Sequence, residues 1–131
     1  MNMKIDSVEA ADVQKIAGTM RSGGYRLVVM TCTPADEGYY ITYSFEKETD
    51  LRHYRIAVSE GTKIPSIGSS YGGAFVYENE IHDLYGFTFE GMSLDFGGTF
   101  IKTSVPYPFK KKEQPAPTVT VVKEAKDFFY V

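Results

Sequence analysis

The chain holds one cysteine, two histidines and no tryptophan among 131 residues, and these shortages remove several protein classes at once. A single thiol, Cys32, excludes an internal disulfide framework and fits a reducing compartment. Protein-held iron–sulfur clusters usually take four thiolates, and structural zinc takes several Cys or His. One Cys and two His supply neither. Long apolar runs are also missing, since uninterrupted stretches span a few residues against the roughly 20 that a membrane helix needs. The N-terminus meets charge at once, with Lys4 and Asp6, and carries no recognisable signal peptide. The expectation is a soluble, cytoplasmic chain that reaches a membrane only through partners. A net charge of −3 speaks against nucleic-acid binding. The glycine- and serine-containing stretch from Gly68 to Gly73 has neither the lysine of a P-loop nor the spacing of a dinucleotide fingerprint. A helix N-terminus after such a stretch can hold an anion, but a flexible lead-in loop is the simpler reading.

The most telling shortage is of positive charge. Between Lys63 and Lys102 there is no Lys or Arg, while Glu78, Glu80, Asp83, Glu90 and Asp95 all fall inside that gap, a local charge of −5. Helices with a solvated acidic face are common. The sharper reading is a surface that docks on a basic partner, because complementary fields steer association.

What is present supports one α+β domain with an appended arm. A 43% hydrophobic content, with ten Tyr and nine Phe, suits a sheet with a real core. Asp6 and Glu9 have capping-box spacing ahead of Ala10, Val13, Ile16, Ala17 and Met20, which predicts an N-terminal helix ending at Gly23 and Gly24. Three strands follow. Tyr25 to Cys32 is apolar on both faces, Tyr39 to Glu46 alternates, and Tyr54, Ile56 and Val58 alternate against His53 and Arg55. Their short connections predict an antiparallel three-stranded meander. A long connection from Gly61 to Gly73 leads to a second helix over Ala74 to Tyr85, with Gly86 as its C-cap. Phe87 to Phe89 and Thr99 to Thr103 read as further short strands. Beyond residue 105 the pattern changes: Pro106, Pro108, Pro115 and Pro117 surround Lys110, Lys111 and Lys112. The chain thus divides into a domain at 1–105 and a Pro/Lys-containing C-terminal arm at 106–131, read as lying outside the core.

The acidic helix carries a signature. Glu78, Asn79, Glu80, Asp83, Leu84, Tyr85 and Gly86, continued by Phe87, Phe89 and Gly91, resemble the signature of the 30 kDa subunit of respiratory complex I, an NADH dehydrogenase. Its usual form is Glu-Arg-Glu, two residues, Asp, Leu or Met, an aromatic, then Gly. Pro65, Ser66 and Ile67 look like that family's lead-in to the helix. Asn79 replaces the usual Arg, and Met92 and Ser93 replace a His-Pro pair. These departures look closer to the short homologue of that subunit in energy-converting membrane-bound [NiFe] hydrogenases of the Ech type. The resemblance implies a subunit without metal or flavin, packed on a [NiFe] hydrogenase-like large subunit and an iron–sulfur small subunit. The [NiFe] centre and [4Fe–4S] clusters then belong to the partners, in a complex that couples ferredoxin-linked electron transfer to ion translocation. It also implies a location peripheral to the cytoplasmic membrane.

On this reading Glu78, Glu80, His82, Asp83, Tyr85, Gly86 and Gly91 form a subunit interface, and none is catalytic. One alternative is the corresponding 30 kDa-type subunit of an NADH, F420 or formate-linked complex. Another, from a different class, is a free-standing small-ligand or metal-binding module using Glu78, Glu80, His82 and Asp83. His53 reads as a solvent-exposed strand residue, and Cys32 as a small core residue without an electropositive setting.

Overall fold

The computed structural model describes residues 4–92 and 105–110. The predicted strand from Thr99 to Thr103 and most of the arm lie outside the described residues. Within them nine short elements follow in order: strand β1 (Ile5–Ser7), a 3-10 turn (Ala10–Asp12), helix α1 (Val13–Ser22), strands β2 (Arg26–Pro34), β3 (Tyr39–Lys47), β4 (Asp50–Val58) and β5 (Lys63–Pro65), helix α2 (Ala74–Tyr85) and strand β6 (Thr88–Glu90).

The meander forms as the alternation requires, with β2–β3 and β3–β4 both antiparallel. Tyr39, Ile41, Tyr43 and Phe45 of β3 turn inward with Ile56 and Val58 of β4, all at most 6% exposed. Val13, Ala17 and Met20 of α1 and Ala74 and Ile81 of α2 join the same cluster, so both helices cover one face of the sheet. Burying side chains of this size is worth about 1.5–3 kcal/mol each, which makes this seam the main source of stability. β2 is an edge strand in the order β1-β4-β3-β2, and within it only Met30 is fully buried. The reading of β2 as covered on both faces is therefore corrected. Met30, with Leu27 and Cys32 beside it, joins the core from one side of the strand.

Two three-residue strands escape the sequence pattern. β1 pairs parallel with β4, with Ile5 opposite His53 and Ser7 opposite Arg55. Asp6 consequently sits in a strand and caps no helix. The helical turn begins only at Ala10, and neither Glu9 nor Asp12 makes a side-chain cap. β5 lies inside the long connection and pairs parallel with β6, Ile64 opposite Phe89. The end of α1 is as expected. Gly24 takes φ +87, its N–H bonds Arg21 O at 3.1 Å, and Tyr25 N–H bonds Met20 O at 2.9 Å. These two bonds make a Schellman cap, which aims the chain directly into β2.

On the other face of the sheet His53 is half-buried, its Nδ1 2.7 Å from Ser44 Oγ across the strands. It is thus not the freely exposed side chain that the alternation suggests. Beside it the Arg55 guanidinium lies 4.1 Å from the centre of the Tyr40 ring. Among the described residues no helix is long and apolar enough to cross a membrane.

The β2–β3 turn depends on one glycine. Gly38 has φ +73, and a Cβ there would stand 2.4 Å from Val58 O. Gly38→Ala should lower stability by about 2–4 kcal/mol, from a strained φ and a backbone clash together. The shift of the urea midpoint of the isolated chain measures this. An unchanged midpoint would mean that β4 does not hold the turn in this way.

Candidate functional site: the acidic helix

Helix α2 forms where the sequence places it, over Ala74–Tyr85, and Gly86 ends it at φ +88 with its N–H on His82 O at 2.8 Å. The turn at Gly86 sends Phe87 and Phe89 back into the core, at 5% and 3% exposure. Tyr39 receives Phe87 and Tyr85 edge-on, with ring centres 5.4 and 5.5 Å away. Residues 105–110, partly the first stretch of the predicted arm, lie against this same helix end. Phe109 N–H donates to Leu84 O at 2.8 Å, and Tyr107 sits edge-on to His82. A Cβ on Gly86 would come within 3.1 Å of the Tyr107 ring, so glycine is needed there for space as well as for φ.

The signature residues do not share one face. Glu78 is 0% exposed and points into the protein. Its carboxylate accepts Ser66 Oγ–H at 2.6 Å and Ile67 N–H at 2.9 Å. Burial raises its pKa, while those two donors pull it back down. Ser66 Oγ in turn accepts Gly68 N–H at 3.0 Å, Ser66 O accepts Gln14 Nε2–H at 3.1 Å, and Ser66 N–H bonds Glu90 O at 2.8 Å. Glu78 thereby ties α2 to β5, β6 and α1. The buried Tyr43 hydroxyl is raised in pKa first by burial and then by the nearby Glu78 charge, and among the described residues it has no hydrogen-bond partner. Asn79 is also 0% exposed and back-bonds Phe75 O at 2.8 Å. Asp83 is 4% exposed, 3.1 Å from His82 Nδ1. Tyr85 donates its hydroxyl to Cys32 O at 3.1 Å, and burial pushes the Cys32 thiol up to about 12. A thiol of that kind is inert at neutral pH.

A continuous acidic face built from Glu78, Glu80 and Asp83 is thus replaced by an inner set and an outer remainder. Glu78, Asn79 and Asp83 are buried and each meets a partner inside the chain. Sequence spacing placed them on the helix but gave no sign of depth, because a charged residue is by default read as exposed. Among the described residues no three Cys, His, Asp or Glu side chains gather as a metal site. Gly91 takes φ +81 at the turn after β6, and among the described residues a Cβ there would meet nothing within 4 Å.

Glu80 is the exception on the outside. It is half-buried, and its pKa is pushed up to about 7 by burial alone. Among the described residues no cation or donor meets its carboxylate. Val76, one turn earlier on the same helix face, is 36% exposed. An apolar side chain next to a desolvated, uncompensated carboxylate is chemistry suited to an Arg or Lys brought by another surface.

Two outcomes follow for the isolated chain. Glu78→Ala leaves the Ser66 hydroxyl and the Ile67 amide without an acceptor and should cost about 2–4 kcal/mol, with Glu78→Gln costing less, as read from urea midpoints. Glu80 has a folded pKa of about 7 above a reference of 4.5. The unfolded chain therefore ionises it first, and stability drains away as pH rises through that window. Glu80→Gln should lessen the loss of thermal stability between pH 4.5 and 7, leaving the share due to Glu78, and raise Tm above that window. Parallel melting curves for the two proteins would refute the assignment.

Comparison with known proteins matches residues 7–127 to the family model described as respiratory-chain NADH dehydrogenase, 30 Kd subunit. Nothing matches among curated proteins. Among solved structures, a chain of the membrane-bound sulfane sulfur reductase, an archaeal respiratory membrane complex, superposes with a TM-score of 0.73 at 16% identity, over 97% of this chain and 81% of that one. At that identity the likeness is one of fold. The family match covers nearly the whole chain, which therefore belongs to the 30 kDa subunit family of the respiratory-chain NADH dehydrogenase.

Proposed function

We propose that this chain is a cofactor-free docking component of a membrane-associated, energy-converting oxidoreductase complex of the [NiFe] hydrogenase type. Its partners on this reading are a [NiFe] hydrogenase-like large subunit and an iron–sulfur small subunit, which hold the redox centres. Family membership supports a place in a respiratory complex, and the structural neighbour is itself a chain of a membrane-bound one. Asn79 and Met92, at positions where the complex I signature has other residues, favour the hydrogenase type over an NADH-linked parent.

The observation that carries the docking role is Glu80. Holding a carboxylate half-buried with no compensating cation among the described residues costs the isolated chain stability, and a partner's Arg or Lys would offset that cost. Val76 beside it adds apolar area to the same contact. The inner carboxylate Glu78 serves the reading indirectly, by fixing the helix that presents Glu80.

Glu80→Lys, introduced into the tagged chain in its native membranes, should reduce recovery of the partner subunits at least tenfold. Glu80→Asp should retain part of it. The isolated Glu80→Lys chain should stay folded, because among the described residues Glu80 makes no hydrogen bond or ion pair to lose, and the long lysine stem carries its ammonium to water. Full recovery of the partners with Glu80→Lys would contradict the role assigned to this residue.

A further inference from the structure

We propose that the open cleft between the end of α1, the start of β2 and the lead-in to α2 receives an acidic segment of a partner protein. This inference rests on the docking reading above and extends the interface along α2. The cleft has a volume of about 390 Å³ and is walled by Arg21, Arg26, Ser70, Gly72 and Gly73 together with the Tyr71 ring. The loop before it is well built, with Ser70 N–H and Tyr71 N–H both on Ile67 O and Tyr71 Oη–H on Tyr25 O at 2.7 Å. These bonds hold in place the loop that its composition alone reads as a flexible lead-in.

Two features of the cleft suit an occupant, one of shape and one of charge. The first is the glycine pair. Gly24, Gly38, Gly61, Gly86 and Gly91 all have positive φ, which accounts for glycine at those positions. Gly72 and Gly73 do not. Gly73 sits at φ −72 and ψ −7, and among the described residues a Cβ built on either position meets nothing within 4 Å. Glycine is a common N-cap, which suits Gly73, while among the described residues neither φ nor packing asks for glycine at Gly72. Without side chains, both residues leave the backbone of the cleft wall open to close approach from outside the protein.

The second feature is charge. The Arg21 guanidinium lies 5.9 Å from the centre of the Tyr71 ring, and no carboxylate of the described residues pairs with it. Arg26 is bonded to Glu46 at the rim. The cleft therefore offers a cation on an aromatic ring, a hydroxyl and accessible backbone, a set that suits a carboxylate side chain. At about 100° per residue, Gly73, Val76 and Glu80 fall within roughly 60° of one another on α2. The cleft is thus continuous with the Val76–Glu80 face, and a partner segment crossing both would present acid at one end and base at the other. A free anion has no need of that continuity, and a protein segment does.

The test uses the tagged full chain in its native complex. Gly73 has a φ that any residue adopts, and a Cβ there meets nothing within 4 Å among the described residues, so the isolated Gly73→Asp and Gly73→Ser variants should melt close to or above the wild-type temperature. In the complex they part company. Gly73→Asp places a carboxylate in the cleft and should cut recovery of partner subunits at least fivefold, while Gly73→Ser loses less. Arg21→Glu should behave like Gly73→Asp, and Arg21→Lys should remain near wild type. Arg21 is exposed, so it decides the matter even if Gly73→Asp lowers the melting temperature. Wild-type recovery with both Gly73→Asp and Arg21→Glu overturns the cleft while leaving the docking reading intact. A wild-type chain that brings down no partner overturns both.

Discussion

A carboxylate with no contact to water organises this domain. Glu78 arises from the middle of α2, and the two groups it binds, the Ser66 hydroxyl and the Ile67 amide, lie just beyond β5. Ser66 then reaches β6 through Glu90 and α1 through Gln14. The hydrophobic seam supplies most of the free energy, but apolar contacts are non-directional and tolerate slippage. A buried acid that is satisfied in only one arrangement fixes the rotation of α2 about its axis, and this sets which residues face outward. Gly86 and the 105–110 segment hold the far end of the same helix. Its outward face, Gly73 to Val76 to Glu80, is consequently a rigid surface.

That division of labour explains why a short acidic signature can serve both fold and assembly. Adjacent positions on a helix point about 100° apart, so Glu78, Asn79 and Glu80 meet three different environments. The first two are sealed inside with their polar groups bonded, while the third is left half-desolvated, with no cation of the described residues opposite it. A protein that worked alone would gain stability by replacing Glu80 with a neutral residue. Retaining an ionisable group in that setting makes sense for a chain that completes its electrostatics on another protein.

Much of the architecture was legible in the sequence, and the reasons differ by element. The meander and α2 are long, periodic and bounded by Gly, Pro and Asp, so local physics dictates them. β1 and β5 are three residues each and exist only because a neighbouring edge accepts them, β1 on β4 and β5 on β6. No local pattern marks such strands, and the apparent helix cap at Asp6 was lost to one of them. Depth was the other blind spot. Glu78 reads as a surface acid until Ser66 and Ile67, twelve and eleven residues earlier, are folded against it. The family signature located the candidate site on α2, but only the fold separates its structural carboxylate from the one open to a partner.

The most direct measurement is a structure of the native complex containing this chain, at a resolution that shows side chains. The account predicts an Arg or Lys of a partner within about 4 Å of the Glu80 carboxylate, at salt-bridge distance, with Glu78 still bonded to Ser66 and Ile67. A Glu80 facing solvent inside the assembled complex, or a Glu78 turned outward to a partner, would contradict it.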